Sequence, residues 1–322
     1  MKKVANKNLQ NAKRKKNDEF YTRYEDIEKE ITQYKEYLKD KWVYSSCDDY
    51  RWSEFKNYFV SNFTVFGLKH YTCTCLDIGN GAYRYDYDGE KETITKLEGN
   101  GDFRSEECVE LLKECDMVVT NPPFSLFREY VAQLMEYGKK FLIIGSMNAI
   151  TYKEIFPYIK NNKLWLGMNW VKDFVQPNGE VKKFGNICWY TNIGHARRNT
   201  ELDLYKKYSA DEYPKYDNYD AIEVSRVENI PTDYEDVMAV PITFLDKYCP
   251  TQFEIIGLGI ANLGLDCGVQ PYKAEHREYR KNIQKRGVVD GDLYMVVNGE
   301  VKVPYARILI RRKKAEPIVE VK

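Results

Sequence analysis

The tetrapeptide Asn121-Pro122-Pro123-Phe124 sets an amide, two prolines and an aromatic ring directly after the apolar run Met117-Val118-Val119. Such a set can activate a planar aromatic amine. The lone pair of an exocyclic amine such as adenine N6 is delocalised into the ring, so an incoming methyl group finds a poor nucleophile. Two neutral acceptors, the Asn121 side-chain oxygen and the Pro122 carbonyl, can each take one N–H and draw the nitrogen toward tetrahedral geometry. This is transition-state stabilisation by fixed dipoles and needs no strong base. The prolines stiffen both acceptors, and Phe124 offers a flat face on which a base can stack, worth about 1–3 kcal/mol. Asn-Pro also opens ordinary turns. The strand before it, the helix after it and the aromatic beside it favour the chemical reading.

The elements around the elbow follow from periodicity. "MVV" reads as a buried strand and "SLFREYVAQLMEYG" as an amphipathic helix, which puts Asn121 at the carboxyl end of a strand. Asn17 or Asp18 can start a helix with Ile27, Ile31, Tyr34 and Leu38 on its inner face. "WVYSSCDD" and "KHYTCTCLD" read as strands, with a helix between them that buries Phe55, Tyr58, Phe59 and Phe63 and closes at Gly67. Asp88-Gly89 marks a hairpin, Ser105 caps a helix, and "KKFLIIGSMNAI" is a further buried strand. "KLWLGMNW" and "NICWYTNI" are strands separated by "QPNGEVKKF", with its Asn178-Gly179 turn. Alternation of strands and helices from about residue 43 to 150 predicts an α/β fold with a doubly wound, mainly parallel sheet. Beyond about residue 200 the texture becomes polar, Tyr-rich and irregular, and predicts a mixed α+β region that includes an Asn298-Gly299 hairpin.

At 322 residues, 43% hydrophobic and 30% charged, the composition is that of an ordinary globular protein. No apolar run reaches membrane-spanning length and the charged start has no signal-peptide pattern, so a cytoplasmic protein is expected. The eight cysteines contain no C-x-x-C and no His at a zinc-ligand interval, which predicts reduced thiols and no metal. Net charge is zero, but "MKKVANKNLQNAKRKK" and "ARILIRRKK" are locally basic and suit phosphate contact if nucleic acid is the substrate.

The string "GDFRSEECVELLKECDMVVTNPPFSLFREYVAQLMEYGKKFLIIGSMNAITYKEIFPYI" resembles the adenine-specific DNA methyltransferase family typified by the EcoRI modification enzyme. "NDEFYT", "VPITFLDKYCPTQFEIIGL" and the basic closing hairpin resemble it too, so the likeness runs from about residue 17 onward. It implies a Rossmann-like methyltransferase fold, S-adenosylmethionine as cofactor, and Asn121, Pro122, Pro123 and Phe124 as the catalytic motif. It implies further that Phe20, Tyr21 and Thr22 fold back onto the methionine end of the cofactor. Asp102 would accept from its adenine amine, with Phe103 beside that ring.

Two segments compete for the cofactor loop. "CLDIGNGAYRYD" has the glycines, but an alternating, hairpin-like stretch follows it. "WVYSSCDDYRWSEF" lacks glycines, but a helix follows it, and this second segment is favoured. Ser46, Cys47, Asp48 and Asp49 would then lie at the cofactor, with Asp77 near its ribose.

The expected organisation is a basic arm over 1–16, a catalytic domain over 17–200 and a DNA target-recognition region over 201–322. An adenine inside a duplex must be extruded to be methylated, at a cost of a few kcal/mol. Double-stranded DNA is therefore the expected partner, with Arg277, Arg280, Lys281, Lys285, Arg286, Arg311 and Arg312 as candidate contacts. A cognate restriction endonuclease acting on the same site is a further expected partner. RNA adenine, cytosine N4 and protein glutamine are the neighbouring acceptors, and a non-catalytic DNA-binding protein on the same scaffold is the rival class.

Overall fold

The computed structural model describes residues 21–77, 79, 81–175 and 180–313. They fall into two compact units: residues up to Ala149 with Leu164–His195, and Ile150–Lys163 with the chain from Ala196 onward.

In the first unit the elements are, in chain order, β1 (Tyr21–Thr22), α1 (Tyr24–Ile31), α2 (Lys35–Leu38), β2 (Trp42–Ser45), α3 (Glu54–Ser61), α4 (Phe63–Phe66) and β3 (His70–Thr74). There follow β4 (Tyr83–Tyr87), β5 (Glu92–Lys96), α5 (Glu106–Glu114), β6 (Met117–Thr120), α6 (Phe127–Glu136), β7 (Lys140–Ser146), β8 (Trp165–Val175) and β9 (Val181–Thr191). The strands make one nine-stranded sheet in the order β1-β8-β9-β7-β6-β2-β3-β4-β5.

Parallel pairing is confined to the centre, where β7, β6, β2 and β3 lie side by side. Both flanks are antiparallel, so the sheet is mixed and the expectation of mainly parallel pairing holds only at its core. The central strands read as near-continuous apolar runs because both faces are covered. Val118, Val119 and Phe141 through Ile144 are fully buried. From β2 the chain moves to β3 on one side, then crosses to β6 and β7 on the other. The strand order therefore reverses between β2 and β6, the crevice where open α/β sheets bind ligands.

Ile27, Ile31, Tyr34 and Leu38 form the fully buried face expected of the first helix. The expected start of that helix, at Asn17 or Asp18, lies outside the described residues. The helix runs from Tyr24, after Tyr21 and Thr22, which are extended and pair with Val175 and Phe174. Their backbone groups enter the β1–β8 ladder instead of a helix. Ser53 caps α3 by accepting from the Lys56 N–H at 3.2 Å, and Gly67 ends α4 with φ +61°. Ser105 caps α5 through the Cys108 N–H, as expected. The Lys182 and Lys183 region, expected as a loop, is part of β9 and pairs with Phe174 and Asp173. The Asn178-Gly179 turn lies outside the described residues.

The second unit holds α7 (Phe156–Lys160), β10 (Ile222–Glu223), β11 (Met238–Pro241), β12 (Phe253–Gly259), α8 (Ala261–Asp266), α9 (Ala274–Glu278), β13 (Met295–Val297), β14 (Glu300–Lys302) and β15 (Arg307–Arg312). A four-stranded sheet runs β10-β11-β15-β12, and β13 and β14 form a separate hairpin. The turn of that hairpin is Asn298-Gly299, both at positive φ, as the sequence predicts. Ala221, Ala239, Leu293 and Leu309 pack at the core. Glu223 and Arg307 form a largely buried ion pair at 2.6 Å that also holds the Tyr216 hydroxyl. No helix among the described residues is long and apolar enough to cross a membrane.

Candidate active site

The elbow grows from β6, all four residues of which are buried. Asn121 follows half-buried, with its Oδ1 shielded from bulk water. Pro122 is buried, and Pro123, at φ −57° and ψ 123°, keeps the chain extended before it turns. The Pro123 carbonyl accepts from the Leu126 N–H at 3.0 Å, starting a 3-10 turn over Phe124–Leu126 that runs into α6. Phe124 keeps part of its ring exposed and meets Phe174 edge-on at 6.4 Å.

Across the reversal point lies the end of β2. Ser45 Oγ donates to the Val119 carbonyl at 2.6 Å and fastens β2 to β6. The Ser46 hydroxyl is buried against the Tyr130 hydroxyl. Cys47 and Asp49 line a cleft with Tyr21, Trp52, Cys75, Leu76, Gly101, Asp102 and Phe103. Burial pushes the Cys47 thiol up, so it stays neutral. Asp49 is gripped by Arg51, Nε to Oδ1 at 2.8 Å, while the Arg51 guanidinium stacks over Trp52 at 4.6 Å.

Asp48 turns away from its neighbour. Its Oδ2 accepts from Thr120 Oγ1 at 2.6 Å and its Oδ1 from Ser53 Oγ at 3.0 Å. Burial raises its carboxyl to about 6, although the Thr120 and Ser53 hydrogen bonds pull it down.

On the far wall, Asp102 is held by Arg104 through Nε at 2.8 Å and Nη2 at 2.7 Å, which keeps its carboxyl below the usual range. Phe103 is buried edge-on to Tyr130 at 4.9 Å. Gly101 sits at φ +71°, and a Cβ there would lie 2.0 Å from the Cys75 carbonyl oxygen. Only glycine lets the two walls approach so closely.

Of the two loop segments, the one beginning at Ser46 ends a central parallel strand and leads into α3. Asp77 instead accepts from the Gly79 and Gly81 N–H groups at 2.7 and 2.9 Å, and the chain goes on into antiparallel β4. Tyr21 reaches the cleft and Thr22 is buried in β1, while Phe20 lies outside the described residues. Trp52, Cys75, Leu76 and Gly101 were not singled out by sequence. Their signal is positional, since they stand just beyond the carboxyl ends of β2 and β3 or face them.

The basic candidates of the second unit divide into two groups. Lys281, Lys285 and Arg286 are exposed on and after a single π-helical turn, Tyr279–Ile283. Arg280 donates to the Gly287 carbonyl at 2.8 Å, and Arg277 pairs with Asp290 at 2.5 Å, so both are engaged internally. Arg311 and Arg312 belong to β15, opposite Glu254 and Phe253, with Arg311 exposed and Arg312 half-buried.

The cleft of carboxylates and aromatic rings stands at the end of β2, and the Asn121 amide follows the end of the neighbouring strand β6; none of Asn121 to Phe124 lines the cleft itself. Comparison with known proteins defines the class. The model of the family described as "Adenine-specific methyltransferase EcoRI" matches residues 8–313. The Type II methyltransferase M.EcoRI of Escherichia coli is 40% identical, over 97% of this chain and 98% of that protein. M.MgeORF184P of Mycoplasma genitalium and M.MpnI of Mycoplasma pneumoniae, both named Type II methyltransferases, are each 36% identical over 94% of this chain. They are covered over 98% and 97% of their own lengths. No solved structure matches. The chain belongs to the EcoRI family of adenine-specific methyltransferases, and it is a DNA adenine methyltransferase.

Proposed function

We propose that the protein methylates adenine N6 at a specific DNA site, on a base flipped out of the duplex, as the modification arm of a restriction–modification system. The observation that carries this reading is the Asn121-Pro122-Pro123-Phe124 elbow at the carboxyl end of β6, across the strand-order reversal from the cleft at the end of β2. The parallel core β7-β6-β2-β3 is then the methyltransferase form of the doubly wound, Rossmann-like sheet.

S-adenosylmethionine, when bound, supplies the electrophilic methyl group. The cleft suits it because carboxylates and aromatic surface converge there. Asp49 and Asp102 offer acceptors for ammonium, ribose hydroxyl or adenine amine, and Phe103 and Trp52 offer apolar faces. Tyr21 would close the methionine end. Asp102 must share its carboxylate between Arg104 and the cofactor.

The chain's own residues then do the following. Asn121 Oδ1 and the Pro122 carbonyl accept the two N6–H bonds, and the amine pyramidalises with its lone pair aimed at the cleft. Phe124 stacks against the flipped ring. The proton leaves after attack, so no group with a perturbed pKa is required as base. In the second unit Lys281, Lys285, Arg286 and Arg311 have exposed cations free to meet phosphates, while base reading falls to side chains of the same target-recognition region. A cognate endonuclease would share the recognition sequence.

The test is to express the protein in a methylation-free host and map modified bases in its DNA. N6-methyladenine within one short sequence motif is expected. N4-methylcytosine, or methyl groups only in RNA or protein, would overturn the assignment.

A further inference from the structure

We propose that Asp48 is a positioning residue for methyl transfer, one that fixes the Asn121 elbow through Thr120. The inference rests on the role assigned above to Asn121. Asp48 leaves the end of β2 and ties three neighbours together. Its backbone N–H donates to the Thr74 carbonyl at the end of β3 at 2.9 Å. One carboxylate oxygen receives the Ser53 hydroxyl at the start of α3, and the other receives Thr120 at the end of β6. Thr120 is fully buried and is the residue directly before Asn121. Thr120 is the last residue of β6, so its anchor lies one peptide bond from Asn121. A 2.6 Å charge-assisted bond to Thr120 therefore limits how far the elbow can shift. Near-attack geometry tolerates little misplacement, and about 1 Å can cost about 100-fold in rate.

Two adjacent carboxylates have thus divided their work. Asp49 faces the cleft, paired with Arg51, and Asp48 faces the elbow. The titratable groups around Asp48 are Cys47 and Asp49 on its own loop, Tyr71 and Cys73 on β3, and Tyr130 on α6. Burial pushes the two thiols and the two phenols up, so they remain neutral. Asp48 itself titrates near 6, chiefly because of burial, with Asp49 adding to the rise. A proton on its carboxyl removes an acceptor and forces Thr120 or Ser53 to reverse its bond. Turnover then acquires an acid limb that belongs to positioning and not to a catalytic base.

The experiment uses the full-length protein, S-adenosylmethionine and duplex DNA carrying the mapped site. Parent, Thr120→Val, Thr120→Ser and Asp48→Asn are compared from about pH 5 to about pH 8. Thr120→Val is expected to lower kcat about tenfold or more while the cofactor Kd stays within about twofold, and Thr120→Ser to restore most of the loss. Asp48→Asn, which cannot titrate, is expected to lose the acid limb of kcat. Parental kcat in Thr120→Val, or a cofactor Kd that weakens by the same factor as kcat falls, overturns the proposal. Should Thr120→Val not fold, the Asp48→Asn profile decides, and a retained acid limb overturns it. Asn121→Ala is measured alongside. Full turnover in that variant sinks the role of Asn121, whereas an inactive Asn121→Ala leaves the Thr120 and Asp48 results to speak for Asp48 alone.

Discussion

At the scale of single residues, the site is built from short polar bonds in a tightly packed setting, and two of its residues have thermodynamic consequences. Asp48 has its carboxyl near 6 in the fold, against 3.8 for an unperturbed aspartate. Between those values the native chain binds a proton that the unfolded chain does not. The parent therefore gains stability relative to Asp48→Asn as pH falls from about 6 to about 4, and the difference is constant above that window. Paired denaturant titrations across the range check this, and a difference that does not vary with pH contradicts it. Gly101 is the second case. Alanine there adds left-handed strain to a Cβ placed 2.0 Å from the Cys75 carbonyl oxygen. Gly101→Ala is expected to destabilise by about 2–5 kcal/mol and to weaken cofactor binding, because the Cys75 and Phe103 walls must part. Urea unfolding and cofactor titration of the same sample read both effects.

At the scale of elements, the position of α3 depends on one hydroxyl with two bonds. Ser53 Oγ accepts from the Lys56 N–H and donates to Asp48. Ser53→Ala removes a helix cap and one of the two bonds to the carboxylate. The expected cost is about 1–2 kcal/mol, read as a lowered urea midpoint. A loss well below about 1 kcal/mol would mean that neither bond is made in solution. The same neighbourhood shows what sequence can and cannot carry. Periodicity announced the buried face Ile27-Ile31-Tyr34-Leu38, the apolar strand before Asn121, the Ser105 cap and the Asn298-Gly299 turn, because each is a local pattern. Of the sheet's antiparallel flanks, the β4–β5 hairpin was announced by Asp88-Gly89, but the pairing of β1 with β8 and of β7 with β9 was not legible. A two-residue strand such as Tyr21–Thr22 has no period, and it exists only because Phe174 and Val175 are there to pair with it. Nor was the orientation of Asp48 legible, since Thr120 is 72 residues away and the identical neighbour Asp49 points elsewhere. The glycines at 79 and 81 made their segment one candidate for the cofactor loop; glycine reports backbone freedom, and the chain beyond them goes on into antiparallel β4.

At the scale of the whole molecule, a chain with zero net charge has to bind a polyanion through local clusters. The exposed Lys281, Lys285 and Arg286 are the cluster proposed for that role, and Arg277 is a poor candidate because Asp290 already neutralises it. DNA affinity is expected to fall steeply with salt. The double variant Lys281→Ala/Arg286→Ala should lower the log–log slope by about two, and Arg277→Ala by less than about one. Equal slopes for parent and double variant would remove this segment from the interface. Methyl transfer in this molecule depends on the elbow at the end of β6. The most direct test of that dependence is the single-turnover methylation rate of Asn121→Ala with cofactor and DNA both saturating. The rate is expected to fall at least about 100-fold while both dissociation constants remain near those of the parent. A rate equal to the parent's under those conditions would contradict it.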